Sequence, residues 1–375
     1  MGQEPIRVLQ VLTAMNRAGA ETMLMNLYRA IDRGRVQFDF AVTTKGHSDY
    51  DDEIESLGGH IIHYPKYTGR NHFAYKKWWN DFFQKHPEYK IVHGHIGSTA
   101  SIYLKIAKKY GCYTIAHSHS TGSKMSFHNM LYRLYSYGTR YIADYFIGCS
   151  TEALVSRYGK SIAVNKQKSI VLNNGIDTDR YMYSESICNE VRKELNIGIN
   201  DFVVGTVGRF TEAKNTFFIV DVLAKLKETE PNFYFLWAGT GELKEQTENY
   251  IAEKELSKNV LLLGVRDDIP RVLQSLNVFI LPSKFEGLPV IGVEVQAAGV
   301  PFICSDRVSP EVKMSECVKF LPIDSVEVWA KEILKERQFR RVASAIDSVK
   351  SCGYDVKTTA RWLTEFYEKN ISIDK

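Results

Sequence analysis

The strongest constraint on this chain's fold is a rhythm of short apolar runs, each followed by a stretch with helical spacing, and the rhythm starts twice. The first series opens with Ile6-Arg7-Val8-Leu9-Gln10-Val11-Leu12 and continues at 38–42, 60–64, 90–93, 113–116, 145–148 and 169–172. Between the first two runs, residues 21–30 place Leu24, Leu27 and then Ile31 on one helical face. A second series opens at Phe202-Val203-Val204-Gly205-Thr206-Val207-Gly208 and recurs at 233–238, 259–263, 278–281 and 301–304. Strands buried on both faces read as continuous apolar runs, and such runs alternating with helices build parallel, doubly wound α/β sheets. Two series therefore predict two Rossmann-like domains, 1–172 and 173–354, with a terminal helix over 358–369 inside the segment 355–375. A length of 375 residues exceeds one ordinary core and agrees with that division. In open sheets of this type ligands bind at the carboxyl ends of strands, so the expected site is a cleft where the two domains face each other.

The segment Phe285-Glu286-Gly287-Leu288-Pro289-Val290-Ile291-Gly292-Val293-Glu294-Val295-Gln296-Ala297-Ala298-Gly299 follows the strand-like Val278-Phe279-Ile280-Leu281. Pro289 fits the first turn of a helix, where a missing N–H costs nothing, and Gly299 supplies a C-terminal cap before Val300-Pro301. The layout is strand, tight turn, helix. Glu286 then stands at the strand's carboxyl edge, with Glu294 about two turns along the same helix. Free N–H groups at a helix start attract an anion, while carboxylates accept from hydroxyls. A nucleotide sugar carries that combination, a diphosphate between two polyols. The plainer reading of the same residues is a buried strand and an amphipathic helix with Glu294 in solvent.

Glu286-x7-Glu294, set in Pro282-Ser283-x-x-Glu286-Gly287-Leu288-Pro289, resembles the signature of the retaining GT-B glycosyltransferases of family 4 (glycosyl transferases group 1). The resemblance extends over nearly the whole chain. It implies a GT-B fold whose C-terminal helix crosses back to the N-terminal domain. It also implies transfer of a sugar from a nucleotide-diphosphate donor, a UDP-sugar before a GDP-sugar, to a hydroxyl acceptor with retention of configuration. Such enzymes commonly build bacterial exopolysaccharide, capsule or O-antigen on a lipid-linked acceptor.

Several other segments take meaning beside that motif. Arg209 and Lys214 follow the first strand of the second series, and a guanidinium fork with an ammonium five residues on suits a diphosphate. They resemble the family's paired diphosphate ligands. Gly239 and Gly241 form a Gly-x-Gly turn after Trp237-Ala238; without the third glycine of the dinucleotide fingerprint, NAD binding has little support. The resemblance makes this turn a border of the nucleotide, places Val265 and Arg266 in the loop that holds the base, Glu286 on the sugar hydroxyls and Glu294 on the ribose, and makes Gly287, Leu288 and Pro289 donor-binding, with the helix that starts near Leu288 toward the diphosphate. Gly19 lies between the first strand and its helix, where it would let backbone approach a phosphate; Ala18 stands where the family often has another glycine.

Histidines end two successive strands, as Val92-His93-Gly94-His95 and Ala116-His117-Ser118-His119. Strand alternation points each pair to one face. No carboxylate or cysteine joins them in the pattern, which argues against a metal site, and no metal or other cofactor is expected. The resemblance places a histidine of the second pair beside the donor sugar, His119 before His117, and makes both candidates for catalysis. Asp177-Thr178-Asp179 imitates a metal-binding Asp-x-Asp motif but falls in the linker and reads as structural.

Charge is asymmetric beneath a net +4: residues 1–168 carry 22 Lys/Arg and 13 Asp/Glu (+9), and 169–375 carry 26 and 31 (−5). Residues 66–168 alone hold 16 basic and 4 acidic residues. Lys76-Lys77-Trp78-Trp79 runs into Phe82-Phe83, and Phe127, Tyr132, Tyr135, Tyr137 and Tyr141 follow. Basic residues beside exposed aromatics suit an anionic membrane surface, whereas buried ones would be core. Nucleic acid is not expected. Six scattered cysteines without a Cys-x-x-Cys pair point to free thiols, and no run approaches the ~18 apolar residues of a membrane span. The start resembles neither a signal peptide nor a myristoylation site. These features fit a cytoplasmic enzyme, peripheral on the inner membrane face. A GT-B-like nucleotide-sugar epimerase, a phosphorylase and a non-catalytic nucleotide-sugar-binding partner are the alternatives; an epimerase would turn over donor alone, and a binding partner would release no nucleotide.

Overall fold

The computed structural model describes residues 4–119, 137–338 and 341–371, which form two units. The first is Met1–Gly175 with Asp355–Lys375, and the second is Ile176–Tyr354. The first crossing falls at 175/176 where sequence places it at 172/173, because Ile176 N–H bonds to the carbonyl of Tyr354 at 2.8 Å. That bond ties both ends of the second unit together.

The first unit holds β1 (Ile6–Val11), β2 (Val36–Val42), β3 (Ile61–His63), β4 (Ile91–Gly94), β5 (Tyr113–Ser118), β6 (Tyr145–Gly148) and β7 (Ser169–Val171). They pair in parallel in the order β3-β2-β1-β4-β5-β6-β7. Side chains alternate between two cores, with Val8, Phe38 and Phe40 on one face and Leu9, Val11 and Val92 on the other. The second unit holds β8 (Phe202–Val207), β9 (Phe233–Ala238), β10 (Val260–Gly264), β11 (Val278–Leu281), β12 (Phe302–Ser305) and β13 (Val318–Leu321). Their order is β10-β9-β8-β11-β12-β13, again parallel. Strand β13 is an addition to the sequence reading. It is a four-residue edge strand with an exposed Lys319, too short and too polar to stand out.

In each sheet the order of strand addition reverses once, between β1 and β4 and between β8 and β11. Loops that leave neighbouring strands at such a switch point diverge to opposite faces and open a crevice. The loop into helix Gly19–Ala30 leaves β1, and the segments 208–214 and 282–289 leave β8 and β11. The fold therefore puts the candidate residues at its two topological openings.

Helix Val356–Ile371 follows the second unit in the chain and packs on the first. Its Ala360, Leu363 and Tyr367 are buried, Tyr367 meets Phe38 edge-on at 6.2 Å, and Glu368 pairs with Arg35. The crossing-back implied by the resemblance is thus present as packing within the first unit.

One expectation is corrected by packing. In helix His72–Lys85, Tyr75, Trp79, Phe82 and Phe83 are buried, and the part-buried Trp78 stacks on Phe82 at 5.2 Å. The Trp78-Trp79 and Phe82-Phe83 cluster is core, held on the inward stripe at helical spacing, while Lys76 and Lys77 face out. The exposed aromatic of this helix is Phe73, three and four residues before Lys76 and Lys77. Tyr137 and Tyr141 are also exposed, whereas Phe127, Tyr132 and Tyr135 lie outside the described residues. All six cysteines are free thiols. Among the described residues no helix is long and apolar enough to cross a membrane.

Candidate active site

In the second unit three strand-end loops are laced backbone to backbone. Gly208 N–H bonds to Ala238 O at 2.9 Å, Phe210 N–H to Thr240 O at 3.0 Å, and Gly239 N–H to Gly264 O at 2.7 Å. Gly239 has φ +143°, and a Cβ there would lie 2.0 Å from the carbonyl oxygen of Gly208. At Gly241 a Cβ would lie 2.5 Å from Phe210 O. These glycines are required by mutual approach of main chains. Phe210, fully buried and stacked on Trp237 at 4.4 Å, anchors the loop that carries Arg209 and Lys214.

The loop after β11 is stitched to the same place. Lys284 N–H bonds to Ala213 O at 2.8 Å, and Lys284 pairs with Glu212. The main chain of Glu286 bridges to Val308, and its carbonyl accepts from Ser309 N–H at 3.1 Å. The Lys214 ammonium donates to Glu286 Oε1, and Ser283 Oγ donates to the same oxygen at 3.2 Å. Both charged side chains are about four-fifths covered, at 23% and 19% exposure, so their pairing is screened less than at the surface. Lys214 and Glu286, 72 residues apart, thus meet at the switch point.

Arg209 behaves differently. It is 76% exposed and approaches Glu242 at 3.6 Å, a loose surface pair that leaves it able to turn. Arg266, assigned to the base, is bound in a fork to Asp268 at 2.6 Å and 2.6 Å, with Arg271 and Glu194 extending the network. Its side chain is therefore committed to the loop, while the adjacent Val265 is exposed.

Helix Val290–Ala297 begins one residue later than expected. Pro289 is its N-cap, buried and extended (φ −71°, ψ 124°), because the chain is still pinned by the Glu286–Val308 bridge. Gly287 is exposed, and Leu288 packs partly on the core. Gly299, at φ +64°, terminates the helix as expected. Glu294 is not a solvated residue: it accepts from the Tyr181 hydroxyl at 2.8 Å. Burial raises its pKa, against the pull of that bond and of nearby Arg180. Tyr181, Ser283, Gln10 and Tyr367 were not singled out by sequence. Ser283 was within reach, since it belongs to the quoted motif; a tyrosine 113 residues from its glutamate gives no local signal. Asp179 pairs with Lys350 at 3.4 Å, consistent with a structural role for 177–179.

A cavity of about 680 Å³ in this unit lies elsewhere, ahead of β11 and β12, where Asn277 and Pro301 line it. Arg192 and Arg341 in its wall give their N–H groups to backbone carbonyls, so it reads as a stapled seam.

In the first unit Gly19 is the first residue of its helix, with open space around its Cβ position. The four histidines form one stack, His93 and His117 buried and His95 and His119 partly so, with ring centroids of His93–His95, His93–His117, His95–His119 and His117–His119 at 4.5, 5.3, 5.0 and 4.1 Å. They bond in pairs, His93 Nε2 to His117 Nδ1 at 3.2 Å and His95 Nδ1 to His119 Nε2 at 2.7 Å. Burial pushes His93 down to about 3 and His119 to about 4, and holds His95 and His117 well below their ordinary value. All four are neutral near pH 7. Ring nitrogens of His93, His95 and His117 lie within 4.8 Å of one another, the one cluster of metal-ligand type among the described residues. Most of its nitrogens are already bonded to other imidazoles, to Tyr367 or to Gln10 within stacked rings, a poor match to ligands converging on one ion.

Comparison with known proteins follows this geometry. Residues 17–180 match the family described as Glycosyltransferase Family 4, and residues 189–319 match Glycosyl transferases group 1. The "Putative glycosyltransferase EpsF" of Bacillus subtilis (strain 168) is 31% identical over 384 residues, spanning 100% of this chain and 99% of that protein. The UDP-Gal:alpha-D-GlcNAc-diphosphoundecaprenol alpha-1,3-galactosyltransferase of Escherichia coli is 28% identical over 231 residues, 59% of each chain. Among solved structures, Anabaena Alr3699/HepE in complex with UDP superposes with a TM-score of 0.75 at 18% identity, over 97% of this chain and 100% of that one.

Proposed function

Because this chain belongs to the group 1, family 4 glycosyltransferases, with their GT-B fold, we propose that it moves a sugar from a UDP-sugar to a hydroxyl of a lipid-linked saccharide with retention of configuration. A GDP-sugar is the second choice of donor. The observation that carries this reading is the meeting of Lys214, Glu286 and a helix start at the switch point of the second sheet. The UDP-bound neighbour and the galactosyltransferase acting on a diphosphoundecaprenol-linked sugar support the choice of donor and acceptor.

The chemistry follows from charge. As the bond between the anomeric carbon and the phosphate oxygen breaks, its electron pair goes to the diphosphate. Lys214, the exposed Arg209 and the N–H groups at the start of helix Val290–Ala297 stabilise that growing charge in this reading, with no ion required. Glu286 accepts from sugar hydroxyls and Glu294 from the ribose. The acceptor oxygen attacks the face the diphosphate leaves, and its proton passes to a diphosphate oxygen, which balances the step. Gly239, Gly241, Val265 and Gly287–Pro289 contribute main chain and shape around the nucleotide and sugar. Gly19 and His119, with His117 beside it, are the first unit's groups for the same substrates.

Place follows from the remaining surface. The enzyme works in the cytoplasm and docks reversibly on anionic membrane through Phe73 and the exposed Arg70, Lys76 and Lys77, each cation contributing ~1 kcal/mol near such a surface.

The test is a thermal-shift screen with UDP, GDP, ADP and their sugars, followed by transfer to a polyprenyl-diphosphate saccharide and NMR of the product linkage. Stabilisation by UDP and a product with the donor's anomeric configuration are expected. An inverted product, or turnover of donor to an isomeric nucleotide sugar without acceptor, would overturn the reading.

A further inference from the structure

The two histidine pairs of the first unit are each continued by one more polar side chain. His95 Nε2 meets Gln10 Oε1 at 2.9 Å, and His93 Nδ1 meets the Tyr367 hydroxyl at 2.8 Å. Gln10, His93 and Tyr367 are buried, so the protons along these chains favour acceptors inside the protein, although the Gln10 amide nitrogen has none within hydrogen-bond reach. At the far ends, His119 Nδ1 and His117 Nε2 are buried and have no partner. Two relays therefore run in from fixed ends to two open nitrogens whose rings stack at 4.1 Å.

The fixed ends decide the direction of each relay. An amide oxygen only accepts, so His95 carries its proton on Nε2 and offers the Nδ1 lone pair. His119 must then donate from Nε2, which leaves its Nδ1 a bare acceptor. A hydroxyl can give or take, but the buried Tyr367 proton has His93 Nδ1 within reach at 2.8 Å; with the hydroxyl donating, His93 is protonated on Nε2 and donates to His117 Nδ1. His117 is then left with an open Nε2–H. Each imidazole is neutral, with one proton, and all four are accounted for.

We propose that Gln10 and Tyr367 are positioning residues that set opposite polarities on two adjacent histidines, an acceptor at His119 Nδ1 and a donor at His117 Nε2, so that the pair reads a group able to give and take a hydrogen bond at once. A sugar hydroxyl is such a group; a phosphate oxygen, which only accepts, is not. That assignment of the ligand rests on the glycosyl-transfer reading, whereas the polarity does not. Neither Gln10 nor Tyr367 needs to touch substrate, since each acts through an intervening histidine.

The experiment is long-range ¹H–¹⁵N correlation on the full chain labelled at histidine, without donor, with the four signals assigned by single His→Gln replacements. All four should be neutral Nε2–H tautomers at pH 7. Gln10→Leu should release His95 and His119 into mixed tautomers and move His93 and His117 less, through the Gln10 contact with Tyr367 alone. Tyr367→Phe should do the converse, moving His93 and His117 most. A wild-type His119 protonated on Nδ1, or a Gln10→Leu spectrum with His119 unmoved, would overturn the proposal. Because no donor is present, that outcome would leave glycosyl transfer standing, and failure of transfer to a saccharide acceptor would leave the tautomers standing.

Discussion

Replacing Lys214 by alanine should lower transfer by ~10² or more while barely changing stability. In the free protein the Lys214 ammonium is bound to Glu286, which Ser283 also holds at 3.2 Å. Losing one charged contact to a developing oxyanion costs about 3 kcal/mol in the transition state, hence the hundredfold estimate. The structure adds a second component. Without Lys214 the Glu286 carboxylate is left uncompensated close to where the diphosphate's charge would grow, so attraction is replaced by repulsion. Stability should fall by only about 1 kcal/mol or less, because Ser283 still donates to Glu286 and water reaches both side chains, at 23% and 19% exposure. The double variant Lys214→Ala, Glu286→Gln removes the stranded charge, and its UDP affinity should exceed that of Lys214→Ala alone, a non-additivity expected of residues in contact. UDP release in the presence of acceptor, UDP titration calorimetry and a melting curve measure the three quantities. Turnover of Lys214→Ala within about threefold of wild type, with an unchanged melt, would refute the placement of the diphosphate.

Four further outcomes follow from the same geometry. Glu294→Ala should chiefly weaken UDP binding and Glu286→Gln chiefly slow transfer; equal losses in both measurements for both variants would remove that division of labour. Transfer should survive EDTA, and activity abolished by chelation and restored only by a divalent ion would overturn the reading of the histidine stack or of Asp177-x-Asp179 as metal-free. The histidines resist protons in the folded state, so their contribution to stability is fully present above pH ~6.5 and is lost as pH falls through about 4 at His119 and about 3 at His93; urea unfolding in His93→Gln should show a shallower acid decline than wild type. Anionic vesicles should sediment the protein at low salt but not high salt, and Lys76→Glu with Lys77→Glu or Phe73→Ser should weaken it; equal binding to neutral vesicles would point to a different surface.

The two sheets were legible because continuous apolar runs such as Val278-Phe279-Ile280-Leu281 admit few other readings, and their bounds coincide with β11. The helix of residues 72–85 was legible in principle. Tyr75, Trp79, Phe82 and Phe83 fall on one helical stripe, and that period, rather than the adjoining lysines, decided their burial. The site was visible as residue types and not as partnerships. Glu286 and Lys214 each stand at a strand end, but their ion pair depends on β8 and β11 being neighbours, a matter of strand order that no local pattern encodes. Glu294 and Tyr181 depend on a linker folding back on a helix, and the histidine relays on a side chain from the last helix reaching β4.

That last helix has a consequence for how the protein is made. The first unit is encoded in two pieces separated by the whole of the second. On the ribosome, β1 to β7 emerge early yet lack the surface that covers Phe38 and the hydroxyl that meets His93 until Tyr367 has been synthesised. The second unit, continuous from Ile176 to Tyr354, is complete before that. The order of maturation is therefore the reverse of the order of translation, and a chain that stalls or is clipped within its final turns carries a finished second unit and a first unit with an open apolar face.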